Sequence, residues 1–307
     1  MPATLVIHGG CGVPPFGSLP DAQIAAANHG LHDALAAGWK ILSAGGSALD
    51  AVEAAVLAME EDPVFNAGRG ATLNAAGEHE LDAAIMDGRD LSAGAVAGVR
   101  RVRNPVRLAR AVMQRTDHVL LMGDGAEALA RQTGLELVAN SWFTTPERAE
   151  ALRRMQARVR DGTAASADQR LKHGTVGAAA LDKAGHLAAA TSTGGYTNKL
   201  PGRIGDTPLI GAGTYANDAT LAYSGTGRGE IFIRAVVGHE LHARLAYRGE
   251  SLVQACEGLV HGQLAELGGG AGLIAVDRRG NVSMPYNTAG MYRGSISEQQ
   301  PASVAIY

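Results

Sequence analysis

Cysteines, aromatic residues, long apolar runs and surplus positive charge are all scarce in this chain. Among 307 residues only Cys11 and Cys256 are cysteines, which excludes a disulfide framework or a cysteine-rich zinc site. Aromatics make up 4%, too few for an aromatic-filled β-sandwich core. No apolar run approaches the roughly 20 residues that cross a bilayer. Met1-Pro2-Ala3-Thr4-Leu5-Val6-Ile7 lacks the basic and long apolar regions of a signal peptide, so the expected location is cytoplasmic and no membrane partner is expected. Net charge is −3, from 27 Lys and Arg against 30 Asp and Glu, which gives no reason to expect nucleic acid as a partner. Internal repeats and a low-complexity tail are absent as well.

What the chain has is small residues. Glycine numbers 41 and the hydrophobic fraction is 46%, much of it alanine. Such residues let helices and sheets approach closely, which favours layered packing of helix on sheet. Asp21 to Ser43 reads as a helix stopped by Gly45-Gly46. Ser47-Ala48-Leu49-Asp50 has the form of a capping box before a helical face of Val52, Ala55, Val56 and Met59. Leu81 to Met86 and Gly94 to Val99 read as strands. Pro105 to Arg115, Gly125 to Gln132 and Pro146 to Arg160 read as helices. Two hairpins follow, Ala178–Leu181 with Leu187–Thr191 and Leu273–Asp277 with Val282–Tyr286. Between them lie helices over Glu230–Tyr247 and Ser251–Leu267. The pattern predicts a single α+β domain over 1–307, arranged as a four-layer α-β-β-α sandwich.

The most telling residue is Thr175. A polar stretch, Asp161 to Arg170, precedes His173-Gly174-Thr175-Val176-Gly177, and a small β-compatible run follows. A linker ending in Gly-Thr at the start of a buried strand suggests a chain that cuts itself. Breakage of the Gly174–Thr175 bond gives Thr175 a free α-amino group beside its hydroxyl, so nucleophile and base belong to one residue. That amine titrates near pH ~7.7–8.0, so it can act as a base at neutral pH.

Other segments supply what such a nucleophile needs. Thr193, in Thr191-Ser192-Thr193-Gly194-Gly195, ends the strand expected to pair back on that of Thr175. Its hydroxyl is placed either to bond the nucleophile or to cap the backbone. Arg203 and Asp206 lie in the Gly- and Pro-punctuated loop 198–206. A guanidinium fork suits a carboxylate and an Asp suits an ammonium group, so the pair reads as a clamp for an amino acid, with a surface salt bridge as the alternative. Ser224-Gly225-Thr226-Gly227-Arg228-Gly229-Glu230 places N–H groups and the Thr226 hydroxyl before a helix, where an oxyanion can be met. A dinucleotide loop in the same register needs glycine where Glu230 stands.

Taken together these segments are similar to those of the plant-type L-asparaginase/isoaspartyl peptidase family of N-terminal-nucleophile hydrolases. The resemblance runs from His8-Gly9-Gly10 through Phe65-Asn66-Ala67-Gly68, Arg103-Asn104-Pro105, the Thr175 and Thr193 segments, 198–206 and 225–230 to Asn287–Tyr292, in order. It implies a precursor that cleaves itself after Gly174 into an α chain (1–174) and a β chain (175–307), assembled as a dimer of αβ heterodimers. It implies Thr175 as nucleophile, Thr193 as its support, and Thr226 with the Gly227 backbone as oxyanion site. Arg203, Asp206 and Gly229 are implied to hold the substrate's α-carboxylate and α-amino groups, and Asn66 to lie near the nucleophile's amino group. It implies L-asparagine and β-aspartyl dipeptides as substrates, and no organic cofactor. A structural sodium ion is implied, held by backbone oxygens of Met59, Glu60, Asp62, Phe65, Ala67 and Arg69. Arg69 and Arg228 depart from the uncharged residues expected in their loops.

Three other readings are weighed. Glycosylasparaginase shares the chemistry, but its members carry Asp before the threonine and are typically secreted or lysosomal. His239-Glu240-Leu241-His242 is one residue short of a His-Glu-x-x-His zinc motif and reads as ordinary helix surface. Arg100, Arg101, Arg103, Arg107 and Arg110 form a local basic run, read as a solvated face rather than a nucleic-acid site because aromatics for stacking are few.

Overall fold

A computed structural model of the chain describes residues 2–163 and 174–307. The part of the expected linker from residue 164 onward, with His173, lies outside the described residues. The elements that position the site are β1 (Thr4–Cys11), α1 (Asp21–Ser43), α2 (Ala48–Glu61), β2 (Leu81–Asp87), β3 (Ala93–Val99), α3 (Pro105–Arg115), β4 (Leu120–Met122), α4 (Gly123–Gln132) and α5 (Pro146–Arg160). After Gly174 come β5 (Val176–Leu181), β6 (Leu187–Thr193), β7 (Thr214–Ala216), β8 (Leu221–Gly227), α6 (Gly229–Ala235), α7 (Val237–Arg248), α8 (Leu252–Glu257), β9 (Ala271–Asp277), β10 (Val282–Ser283), β11 (Met291–Ser297) and β12 (Ser303–Ala305).

The described strands form two sheets. The larger runs β12-β11-β1-β5-β6-β2-β3-β4 and the smaller β10-β9-β8-β7. Within the larger sheet only β3 and β4 pair in parallel; the other neighbours are antiparallel. Strands β1, β5 and β6 are buried along their whole length and so serve two cores. Leu5, Ile7, Ala178, Ala180, Ala188 and Ala190 pack with α1, α2 and α3. Their alternating neighbours Val6, Ala179, Leu181, Leu187 and Ala189 pack with the small sheet and with Leu241, Leu252 and Cys256 of α7 and α8. The period of two sends successive side chains to opposite faces. Alanine, a weak strand former, is accepted here because both faces are covered and only small side chains fit between closely approaching layers. The chain is α+β.

Several boundaries differ from the expectation. The helix expected over 230–247 breaks at Val236, which adopts a left-handed conformation (φ 47°, ψ 50°), and α7 starts afresh with the His239 N–H donating to Gly211 O at 2.9 Å. The helix expected over 251–267 holds α-geometry to Glu257, widens into a π turn over Gly258–Gln263 and returns to α-geometry over Leu264–Glu266. Strand β10 stops at Ser283 because Pro285 has no N–H to donate. Its carbonyl still accepts Leu273 N–H at 3.1 Å. The helix expected from Gly125 begins at Gly123. At Ser47 half of the capping box forms. The hydroxyl oxygen accepts Asp50 N–H at 3.1 Å, while its proton goes to the Asp50 carboxylate at 2.7 Å. Among the described residues, no helix is long and apolar enough to cross a membrane.

Candidate active site

Thr175 immediately precedes β5 and is buried. The β5–β6 register pairs Val176 with Ser192, which brings Thr193 beside it. The Thr175 hydroxyl donates to Thr193 Oγ1 at 3.2 Å, and the Thr193 hydroxyl donates to the Gly174 carbonyl oxygen at 3.1 Å. Thr193 Oγ1 also accepts Gly195 N–H at 3.0 Å, so its one proton is free for Gly174 O. The Asn66 side-chain amide donates to the same carbonyl at 2.6 Å and to Gly195 O at 2.7 Å, while its oxygen accepts Thr72 N–H at 2.8 Å. Asn66 therefore sits on the carbonyl of the bond before Thr175. The Thr175 nitrogen is a peptide nitrogen in this continuous chain, so no amino group is there to meet.

Glycines make this crowding possible. A Cβ on Gly10 would stand 2.8 Å from Gly174 Cα and 3.1 Å from Thr175 N, and one on Gly194 would stand 2.8 Å from Asn66 Oδ1. His8-Gly9-Gly10 lies within β1, where the pairing with β11 slips between His8 and Gly10, and the bare Gly10 lets one backbone lie directly against another.

Gly174, Thr175, Thr193, Gly195, Tyr196, Arg203, Gly205, Asp206, Thr207 and Gly227 line one small cavity. Arg203 reaches into it between two partners. Its Nε donates to Glu230 Oε1 at 3.0 Å, and its guanidinium carbon lies 4.6 Å from the centre of the Tyr196 ring. Asp206 is buried, and its Oδ2 has no hydrogen-bond partner. Burial pushes its carboxyl up to about 7, against the pull of Arg203 and with further push from Glu230 and Asp82. A Cβ on Gly229 would come within 2.8 Å of both Arg203 Nη2 and Asp206 Oδ1, so its bareness keeps the clamp open. A buried carboxylate without a partner beside a cation is suited to a ligand that carries both charges. Arg228 is exposed outside this lining.

Thr226 is buried behind Gly227. Its hydroxyl oxygen accepts Cys11 N–H at 3.2 Å and its proton points at Cys11 Sγ, 3.9 Å away, a weak acceptor that an oxyanion can outcompete. The Cys11 thiol, pushed up to about 12 by burial, stays neutral. Gly227 holds φ 145° and a side chain there would meet Gly270 O at 2.4 Å. A larger cavity of about 1190 Å³, lined by segments such as 249–254 and 277–282, contains none of these groups.

Of the residues implied to hold sodium, Met59 and Glu60 belong to the last turn of α2 rather than to a loop, and Asp62, Phe65, Ala67 and Arg69 follow in the loop after it. A Cβ on Gly68 would stand 2.4 Å from Glu60 O, and one on Gly70 would stand 2.4 Å from Pro63 O and 2.8 Å from Phe65 O. Backbone carbonyls thus crowd a turn that glycine keeps clear. Glu60 O accepts only Arg69 N–H, and Asp62 O only Phe65 N–H, in the backbone pairing of this loop, so each carbonyl keeps a second lone pair. Neutral hard oxygens suit a hard cation, and the loop fits it. The Arg69 side chain is exposed over Trp142, 5.8 Å from the ring centre, which places its charge outside the turn.

Sequence reasoning did not name Glu230 or Tyr196 as partners of Arg203, nor Glu60 as a side chain with a role. The signal for Glu230 was its intrusion into a glycine pattern. Glu60 is fully buried. It accepts the Ser192 hydroxyl at 2.6 Å and Val106 N–H at 3.0 Å, and burial pushes its carboxyl up to about 8. From α2 it ties the strand carrying Thr193 to the start of α3. The basic run is not a free patch. Arg100 pairs with Glu78 and Glu80, Arg101 with Glu127, Arg103 with Glu61 and Glu136, Arg107 with Glu53, and Arg110 with Asp50 and Glu53. His242 Nδ1 bonds Thr220 Oγ1 at 2.7 Å and its ring lies against His239. Among the described residues, no group of three or more His, Cys, Asp and Glu could hold a metal.

A family model described as asparaginase matches residues 1–306. The chain is 51% identical to the isoaspartyl peptidase of Escherichia coli (strain K12), over 95% of this chain and 92% of the relative. It is 50% identical to the isoaspartyl peptidase of Salmonella typhimurium, over 95% and 94%. It is 39% identical to the probable isoaspartyl peptidase/L-asparaginase 2 of Arabidopsis thaliana, over 99% and 98%.

Proposed function

The chain belongs to the asparaginase family, and from that membership we propose a hydrolase that splits L-asparagine into L-aspartate and ammonia. The same site splits β-aspartyl dipeptides into L-aspartate and an amino acid. The observation that carries this reading is one cavity holding the Thr175–Thr193 hydroxyl pair beside the open Arg203–Asp206 clamp. Both substrates present a free α-amino group and a free α-carboxylate and differ only in the leaving group, so one clamp serves both.

Maturation uses the groups on Gly174. The Thr175 hydroxyl oxygen attacks the Gly174 carbonyl carbon, and Asn66 and Thr193 donate to the oxygen that gains charge. The C–N bond breaks, its nitrogen takes a proton, and the Gly174 acyl group now rests on Thr175 as an ester. Water cleaves the ester, which leaves a Gly174 carboxylate and a Thr175 amine. Because Gly174 lines the cavity, its departure also opens room for substrate.

In turnover the Thr175 amine takes the hydroxyl proton and Oγ1 attacks the β-carbonyl. The Thr226 hydroxyl and Gly227 N–H meet the oxyanion. Ammonia or an amino acid leaves with the proton, and water hydrolyses the β-aspartyl ester. Asp206 receives the α-ammonium and Arg203 the α-carboxylate. The backbone oxygens from Met59 in the last turn of α2 to Arg69 in the loop after it would hold a sodium ion, which would neutralise the converging carbonyl dipoles. The layer order, with α1–α3 on one sheet and α7–α8 on the other, is read as the four-layer N-terminal-nucleophile fold. The protein assembles as a dimer of αβ heterodimers.

The test measures ammonia from L-asparagine and aspartate from a β-aspartyl dipeptide, with Thr175→Ala as control. Release from the cleaved protein and none from the variant supports the reading. A fully cleaved protein that turns over neither substrate contradicts it.

A further inference from the structure

Arg203 and Asp206 carry opposite charges into one cavity, yet they do not pair with each other. A Cβ on Gly229 would stand 2.8 Å from Arg203 Nη2 and 2.8 Å from Asp206 Oδ1, so the two groups flank the space of one methyl group. Among the described residues, Glu230 is the one carboxylate in ion-pair contact with Arg203, and Asp206 Oδ2 has no hydrogen-bond partner. A buried carboxylate gains strongly from a neighbouring guanidinium, because little water competes for either charge. Left unrestrained, such a clamp closes on its own charges.

Three contacts hold the guanidinium back. Nε donates to Glu230 Oε1 at 3.0 Å. The Tyr196 ring centre lies 4.6 Å from the guanidinium carbon. A Cβ on Gly205 would stand 2.7 Å from Nη1 and 3.2 Å from both Cζ and Nη2, so the backbone of the same loop packs on the group. A guanidinium is planar and rigid. One fixed N–H direction and one covered face therefore settle where Nη1 and Nη2 point. With Nε turned to Glu230, the Nη edge is left for a ligand. Glu230 itself is the second residue of α6 and lies outside the cavity lining. Its side chain is 43% exposed, against 14% for that of Arg203. It can act on a substrate only through Arg203.

We propose that Glu230 is a positioning residue that holds Arg203 away from Asp206, so that the clamp waits open instead of pairing with itself. Substrate then meets two charges that need partners. Without the tether, the α-carboxylate and α-ammonium groups must first separate an internal ion pair, and that cost is subtracted from binding. The reacting carbonyl is met by Thr175, Thr226 and Gly227, so the loss falls on KM more than on kcat. Asparagine and β-aspartyl dipeptides share the two α groups and lose alike.

This restraint deepens the proposed function and rests on it, so its first test needs no activity. Crystals of cleaved Glu230→Ala, grown without substrate, are expected to show Arg203 turned into ion-pair contact with Asp206. A guanidinium that stays on Tyr196 with Asp206 unpaired overturns the restraint. The second test is steady-state kinetics. KM for asparagine and for a β-aspartyl dipeptide is expected to rise by the same factor, about tenfold, the scale of one hydrogen bond to a charged group, while kcat changes far less. Glu230→Gln, which can still accept Nε–H without the charge, is expected to fall between wild type and Glu230→Ala. Self-cleavage uses none of these groups and reports that each variant is folded. A KM equal to wild type in Glu230→Ala, or a rise for one substrate alone, overturns the positioning role. A turned guanidinium in a protein whose wild type hydrolyses neither substrate keeps the restraint and rejects the function.

Discussion

Asn66 Nδ2 stands 2.6 Å from the carbonyl oxygen of Gly174, the last residue before the proposed nucleophile. That amide is the strongest donor aimed where charge develops during self-cleavage. Asn66→Asp keeps the shape and the acceptor for Thr72 N–H, yet sets a negative oxygen against Gly174 O. Cleavage is expected to slow by about 10²-fold or more, the scale of losing one oxyanion donor. A gel time course of the freshly purified variant checks this; cleavage at the wild-type rate removes Asn66 from the maturation step.

Arg203 is tethered to Glu230 and stacked on Tyr196, and it touches neither Gly174 nor Thr175 through a hydrogen bond. Arg203→Ala is therefore expected to leave self-cleavage intact and to raise KM for asparagine by about 10- to 100-fold, the worth of a charge-assisted hydrogen bond. Steady-state kinetics on the cleaved variant decide it. An unchanged KM assigns the α-carboxylate to another residue.

Asp206 must be ionised to hold an ammonium group, and burial raises its carboxyl to about 7 in the empty site. Below that pH the free enzyme carries a proton there that substrate must displace. The kcat/KM profile should fall on the acid side with an apparent pKa near this value, about tenfold per pH unit at the limit. Asp206→Asn should lose most of the affinity and keep only the acid limb of the Thr175 amine, near pH ~7.7–8.0. A flat profile from pH 5 to 8 in the wild type contradicts the clamp.

Glu60 carries the same logic into stability. Burial raises its carboxyl in the folded chain to about 8, against an ordinary value of 4.5. Between those values the native state binds a proton that the unfolded chain does not, so stability from this group falls as pH rises through the window. Glu60→Gln mimics the protonated acid and should flatten that fall. Denaturant unfolding at pH 5 and pH 8 measures it; an equal pH dependence in both proteins shows that Glu60 does not hold the proton.

Much of this was legible beforehand because it depends on local pattern. The β5–β6 hairpin follows from a small apolar run, a Lys183-Ala184-Gly185 turn and a second run. Once that register is set, Thr193 must fall beside Thr175. The two cores were harder to read, since strands buried on both faces show no polar alternation and consist here of alanine. Glu230 could not be assigned to Arg203 because the two are 27 residues apart and meet only when the loop folds over α6. The arginines of 100–110 looked unpaired in one dimension, yet their carboxylates come from α2, α4 and the segments before β2 and after α4. The break at Val236 had no signal, because a β-branched residue is among the least expected in a left-handed turn.

The central claim is that Thr175 cuts the chain and then acts through its new amine. Intact mass measurement of the purified wild type and of Thr175→Ala, after incubation at neutral pH, tests it most directly. The account predicts two wild-type fragments, 1–174 and one starting at Thr175, and a single uncut variant. A wild type that stays whole, or a variant cut after Gly174, contradicts it.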